Sequence, residues 1–266
     1  MIPRVLTIAG SDSGGGAGIQ ADLKTITALG AFGTSAITAL TAQNTCGVRR
    51  VMSVEPAFVA DQIDMVLEDI GTDAAKTGML AGRPVLEAVA DRVRVHAIRP
   101  LVVDPVMVAE SGAHLLEDDA RAAMRDVMLP LAEVATPNLP EAEVLTGMRI
   151  GDVPTMKEAA RRLHGFGCRW VLVKGGHLCG DPVDVLFDGH GFLEVRRPRV
   201  PTPNRHGTGC TYSAAIATGL AWGLAVPAAV EWARDAVQAG LQAALDVGRC
   251  SGPLGHGALF GRPRPR

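Results

Sequence analysis

Short runs of β-branched and aliphatic residues alternate with longer helical patterns along almost the whole chain, and this alternation limits the fold more than any other feature. The stretches "VLTIAG" (5–10), "TSAITAL" (34–40), "AAKTG" (74–78), "LVVDP" (101–105), "EVATPN" (133–138) and "WVLVKGG" (170–176) have the length and composition of strands. Between them, "IQADLKTITAL" (19–29), "AFVADQIDMVLEDI" (57–70), "PVLEAVADRVRV" (84–95) and "MKEAARRLHGF" (156–166) repeat apolar residues at helical spacing. Strands with so few polar positions must be covered on both faces, which predicts an α/β fold with a mostly parallel central sheet between two helical layers. The stretch "VDVLFDGHGFLEVRR" (183–197) reads differently, as two strands around a tight turn at one edge of the sheet. Two more helices, about 209–222 and 227–246, close the chain. No internal repeat, low-complexity linker or composition break divides it. One domain over residues 1–266 is expected, with about 256–266 as a flexible tail.

Composition narrows the class of partner. The 266 residues are 47% hydrophobic and 20% charged with a formal net charge of -2, a balance that argues against nucleic acid or an anionic membrane surface as partner. No apolar run approaches the ~18 residues of a membrane span, and "MIPRVLTIAGSD" lacks the features of a signal peptide. The five cysteines (Cys46, Cys168, Cys179, Cys210 and Cys250) are odd in number and scattered, and they form no C-x-x-C pair. They suggest a reduced, cytoplasmic protein without a structural zinc site.

In open parallel sheets, ligands bind beyond the carboxyl ends of the strands. At those ends stand the "GSDSGGGAG" loop, Asp104, Asn138 with Glu141, Lys174 and the "HGTGC" turn. A carboxylate, an amide with a carboxylate, an ammonium and two glycine loops would all face one cleft. The first loop is no Walker A motif, because the chain contains no Gly-Lys pair. "GAGIQA" (16–21) fits the loose dinucleotide pattern, but that reading needs an acidic residue about 20 positions on, and none occurs from Leu23 to Arg50. A glycine turn that only lets helix and strand pack closely is the structural alternative.

The second loop leads into a helix. Backbone N–H groups of Gly207, Thr208, Gly209 and Cys210 at that positive end could surround an oxyanion. Cys210 is open to three readings: an inert buried cysteine, a phosphatase nucleophile, or a base for a substrate hydroxyl. The second wants an arginine six residues on, where Ile216 stands. The third suits phosphoryl transfer, whose loose transition state relies on positioning and charge neutralisation. A helix N-terminus would move the thiol pKa down from ~8.5.

Together "AGSDSGGGAGIQADLKT", "ITALTAQNT", "DAAKTGML", "VVDPVM", "TPNLPEAEVLTG", "VLVKGGH" and "HGTGCTYSAAIA" resemble the hydroxymethylpyrimidine/phosphomethylpyrimidine kinases of thiamine biosynthesis, a branch of the ribokinase-like family, from about residue 4 to 250. The resemblance implies a ribokinase-like three-layer sandwich that uses ATP and Mg²⁺, and a possible homodimer. It implies Cys210 as catalytic base, with Gly207, Thr208 and Gly209 as an anion hole for the transferred phosphoryl group. Lys174, Asp104 and Asn138 would serve the nucleotide, and Glu141 with Asp104 the metal. Gln43, Asp22, Met79, Gly10 and Val106 would line the substrate site. A glutamine amide offers a donor beside an acceptor, which matches an aminopyrimidine edge. Asn138 could instead cap a helix, Asp22 favour a helix start, and Met79 fill core. Arg205 stands where the family usually has Thr, and the ending departs from the family's "GHGP". Pyridoxal or pyridoxine phosphorylation is the neighbouring alternative, and a ligand sensor that kept the fold is the non-enzymatic one.

Overall fold

The computed structural model describes residues 1–107 and 118–262. Its strands are β1 (Arg4–Asp12), β2 (Phe32–Asn44), β3 (Gly47–Ser53), β4 (Ala74–Thr77), β5 (Leu101–Val103), β6 (Val134–Ala135), β7 (Trp170–Val173), β8 (Val183–Phe187) and β9 (Phe192–Arg196). The helices are α1 (Gly18–Ala28), α2 (Pro56–Asp69), α3 (Arg83–Val95), α4 (Asp118–Ala123), α5 (Leu139–Thr146), α6 (Val153–His164), α7 (Thr208–Ala221) and α8 (Val226–Gln242). The strands form one sheet in the order β3-β2-β1-β4-β5-β6-β7-β8-β9. From β2 to β7 every pairing is parallel, whereas β3, β8 and β9 add antiparallel edges.

Successive strand residues feed two separate cores. Val5, Val102, Val134 and Leu172 pack with Ile26, Ile216 and Val230 on the side of α1, α7 and α8. Leu6, Val103, Ala135 and Val173 pack with Ile63, Leu86 and Met156 on the side of α2, α3 and α6. Side chains alternate across a strand, so a sheet buried on both faces needs apolar residues at nearly every position. The expected hairpin at 183–197 is the β8–β9 pair. Strand β3 has no counterpart in the sequence reading, because Arg49, Arg50, Val51, Met52 and Ser53 are all exposed and leave no buried alternation.

Two expectations need correction. The expected fully reduced set of cysteines is not what the structure holds: Cys46, in the turn between β2 and β3, is bonded to Cys250 across a sequence separation of 204, leaving Cys168, Cys179 and Cys210 as the free thiols. The C-terminal strap reaches that turn because Gly248 lies against Thr45, where a Cβ would come within 2.3 Å of the hydroxyl oxygen. The expected flexible tail is also partly packed. His256–Leu259 is a 3-10 helix with His256 and Leu259 buried, and the imidazole Nε2 is 2.9 Å from the Thr211 hydroxyl. Residues 263–266 of that tail lie outside the described residues. No described helix is long and apolar enough to cross a membrane.

A crosslink closing so long a loop chiefly restricts the unfolded chain and is worth about 2–4 kcal/mol. Reductant should therefore lower Tm by roughly 5–15 °C, and Cys46→Ser should show the lower Tm with or without reductant. Thiol titration of the unfolded, unreduced chain should find three groups. Five groups, with a Tm indifferent to reductant, would remove the crosslink from the account.

Candidate active site

β1 ends at Asp12, and the loop that follows is wrapped around this carboxylate. Oδ1 accepts the Gly14 N–H at 2.8 Å, and Oδ2 accepts the N–H groups of Gly16 and Ala17 at 3.1 and 2.8 Å. The same Oδ2 is 2.9 Å from Nε2 of His206. Burial alone would raise the Asp12 pKa, but the His206 contact and the loop amides together hold it below the ordinary carboxylate value. Lys24 donates to the Gly15 carbonyl at 2.7 Å and ties the loop to α1.

The second glycine loop meets the first. Gly207 has φ +84° and precedes the first residue of α7. A Cβ there would meet the Gly16 carbonyl oxygen at 1.9 Å. Glycine supplies both the left-handed conformation and the close approach. Two residues further, a Cβ on Gly209 would stand 3.3 Å from Lys174 Nζ and 3.7 Å from Asp104 Oδ2. The start of α7 is thus set directly beside an ammonium and a carboxylate.

Asp104 is the hub of that corner. Lys174 donates to Oδ1 at 2.8 Å and the Thr136 hydroxyl at 3.1 Å, while Ser213 donates to Oδ2 at 3.2 Å. Desolvation works against the charge, but Lys174 and then Lys76 overcome it, so the Asp104 pKa is lowered. Val106 is half-buried, its N–H donating to the Asp104 carbonyl at 2.8 Å. Asn138 is the cap of α5. Its Oδ1 accepts the Glu141 N–H at 2.9 Å, and Glu141 Oε2 accepts the Asn138 N–H at 2.8 Å. The capping alternative is therefore realised. Glu141 is buried, and that desolvation pushes its pKa up to about 7 against the pull of Lys174.

Within electrostatic reach of Cys210 lies an ion pair. Lys76 Nζ is 3.0 Å from both oxygens of Asp22, and the Thr7 hydroxyl donates to Asp22 Oδ2 at 2.6 Å, with both charged side chains fully buried. Cys210 is half-buried. Contrary to the expected depression at a helix start, its pKa is pushed up to about 11. Burial is the main cause; Asp22 and Asp104 add to it, and Lys76 and a Gly18 N–H contact only partly compensate. The thiol therefore keeps its proton in the free cleft at neutral pH.

On the other side of the first loop, Met79 is buried and its sulfur would meet a Cβ on Gly10 at 3.1 Å. Gln43 is half-buried near the end of β2, its Oε1 3.2 Å from the Thr41 hydroxyl and its Nε2 3.4 Å from His206 Nε2. Arg205 is exposed. The sequence reading missed Asp12, Lys76 and His206. Asp12 and His206 stood inside quoted glycine motifs, and Lys76 was a lone charge within an apolar strand.

The whole arrangement is similar to a known structure. Bacillus subtilis pyridoxal kinase, solved as an ADP complex, superposes with a TM-score of 0.91 at 37% identity, covering 97% of this chain and 99% of that one. A mostly parallel sheet with two opposed glycine loops at its carboxyl edge defines a kinase of the ribokinase-like fold. The family model for phosphomethylpyrimidine kinase matches residues 12–255. The hydroxymethylpyrimidine/phosphomethylpyrimidine kinase of Streptomyces coelicolor is 48% identical over 97% of this chain and 96% of its own. The thiamine biosynthesis bifunctional protein ThiED of Geobacter sulfurreducens is 53% identical over 95% of this chain, which spans 52% of that longer protein. The chain belongs to the hydroxymethylpyrimidine/phosphomethylpyrimidine kinase family.

Proposed function

We propose that this chain transfers the γ-phosphoryl group of ATP to the hydroxymethyl group of 4-amino-5-hydroxymethyl-2-methylpyrimidine, and then phosphorylates the monophosphate, as a cytoplasmic step toward thiamine. The observation that carries the reading is the start of α7, where Gly209 sits against Lys174 and Asp104 while Cys210 lies within electrostatic reach of the Asp22–Lys76 pair. Phosphoryl transfer through a loose transition state needs positioning and charge neutralisation more than covalent chemistry. The amides of Gly207, Thr208, Gly209 and Cys210 surround the migrating group, and Lys174 neutralises the nucleotide phosphates. Cys210 acts in the fraction that has first lost its own proton to solvent: that thiolate, favoured by the Lys76 ammonium, takes the proton of the acceptor alcohol as the alcohol oxygen bonds to phosphorus and ADP leaves.

Among the described residues, no group of three or more His, Cys, Asp or Glu is arranged to cage a metal. The residues present do suit a magnesium ion that arrives on the nucleotide, since such an ion keeps several waters and needs only one or two carboxylates. Glu141 and Asp104, with Asn138 beside them, would hold it through those waters. The ion would offset phosphate charge during transfer.

Gln43 reads the aminopyrimidine edge, Met79 and Val106 form the apolar wall, and Gly10 leaves room for the ring. Asp22, buried with its oxygens on Lys76 and Thr7, serves the hydroxymethyl group at one remove, by holding the Lys76 ammonium. A homodimer suits the β2–β3 edge, where Leu40, Val51 and Met52 are exposed. The likeness to pyridoxal kinase favours one second reading, phosphorylation of a vitamin B6 alcohol at the same site.

Chromatography of products after incubation with ATP, Mg²⁺ and each acceptor tests both readings. Mono- and diphosphorylated pyrimidine are expected, with kcat/KM for the pyrimidine above that for pyridoxal. The reverse ratio would favour the second reading. Gln43→Leu should raise the pyrimidine KM roughly tenfold or more, the loss expected when a paired polar contact is removed, and leave the ATP KM unchanged.

A further inference from the structure

Asp12 and His206 are unassigned by the proposed mechanism, yet they join everything it uses. The Asp12 carboxylate accepts three amides of the first glycine loop and one imidazole N–H from a residue 194 positions away. That imidazole belongs to the residue immediately before Gly207, and its own backbone N–H donates to the Gly252 carbonyl at 3.1 Å. The ring fills the space over Gly16, where a Cβ would come within 2.4 Å of its Cδ2. Its Nε2 is also 3.4 Å from the Gln43 amide. One ring therefore touches the first loop, the start of the anion loop and the pyrimidine reader.

We propose that Asp12 and His206 form a positioning pair, which sets the anion loop against the first glycine loop and fixes the Gln43 amide for the acceptor. This rests on the kinase reading above. An ionised carboxylate only accepts, so His206 Nε2 carries a proton and donates it to Asp12. That proton is then committed, and the ring cannot accept from Gln43 at the same atom. The Thr41 hydroxyl has likewise given its single proton to the Ser11 carbonyl at 2.8 Å, so it can only accept. Both neighbours therefore favour the Gln43 amide turned over from the orientation described above, with its nitrogen toward Thr41 and its oxygen toward His206. The pair thereby selects the face that the glutamine offers to substrate. Neither Asp12 nor His206 needs to touch a reacting atom. Displacement of the anion loop by about an ångström is enough to lose ~10²-fold in rate.

The test compares His206→Leu with His206→Gln, both of which leave the Asp12–amide bonds in place. Glutamine returns an N–H near the position of Nε2, and leucine fills the space without one. We expect His206→Leu to lower kcat/KM for the pyrimidine roughly 10–100-fold, in both kcat and pyrimidine KM. His206→Gln should stay within about fivefold of wild type. Affinity for ADP by calorimetry gives an arm independent of the acceptor: leucine should weaken it roughly three- to tenfold, and glutamine should restore it. Wild-type constants in the leucine variant would overturn the pairing. So would equal losses in both variants that follow Tm alone. A wild-type enzyme that phosphorylates no pyrimidine would overturn the functional reading instead, and the ADP arm would still decide the pair.

Discussion

Cys210→Ala should lower kcat by ~10²–10⁴, the range for loss of a general base, with a much smaller change in the KM values for ATP and pyrimidine. The thiol is held up to about 11 in the free cleft by burial and by the Asp22 and Asp104 charges. Below that value the thiolate fraction grows tenfold with each pH unit, so the wild-type rate should climb between about pH 7 and 9. Cys210→Asp places a group there that is already ionised in this range. It should retain more activity than alanine and flatten the pH profile. Stopped assays across that range, on all three proteins at saturating ATP, decide the matter. Equal rates in wild type and alanine variant would remove the base and leave the fold assignment intact.

Lys76→Met should lower stability by about 3–5 kcal/mol, the cost of leaving one member of a buried ion pair alone. The Asp22 carboxylate would keep the Thr7 hydroxyl at 2.6 Å and lose both contacts to the ammonium. Thermal unfolding should register a Tm drop of roughly 6–20 °C. The sign with pH is specific. Desolvation raises the Asp22 pKa even with Lys76 present, and without it the folded state holds the proton more tightly still. A folded pKa above the unfolded one adds stability at low pH that is lost as pH rises through the folded value. The variant should therefore recover part of its Tm toward pH 4–5, where unfolded aspartates begin to protonate. Lys76→Met combined with Asp22→Leu should regain most of the stability and none of the activity. A single variant with wild-type Tm would mean that Asp22 is not charged in the native protein.

Much of this architecture is visible in the chain before any coordinates. Parallel strands buried on both faces leave continuous apolar runs, and the edge hairpin at 183–197 leaves a turn between two short ones. β3 leaves neither, because its pairing with β2 depends on backbone hydrogen bonds and its side chains face solvent. Within the cleft, Asp104, Lys174, Gly207 and Gly209 were legible because strand ends and helix starts are where ligands are held. The Asp22–Lys76 pair was not, since its members lie 54 positions apart and only packing reveals that the two charges meet. The thiol's direction failed for a related reason. A helix start is a local property, whereas the burial that chiefly raises the Cys210 pKa, and the Asp22 and Asp104 charges that add to it from α1 and the end of β5, come from tertiary packing. The Cys46–Cys250 bond is equally tertiary, since 204 positions of chain give no hint of proximity.

The contact between Gly16 and Gly207 has a consequence for assembly of the molecule. On the proposed mechanism, nucleotide would be gripped only after the first strand and the next-to-last long helix have docked, and contacts of such sequence separation are among the slowest to form. No partly folded chain lacking either end would retain affinity. Since ligand would bind the native state alone, saturating nucleotide should raise the unfolding free energy by RT ln(1 + [L]/Kd). Binding of ADP during refolding would then serve as a clock for the final docking step, in advance of any catalytic assay.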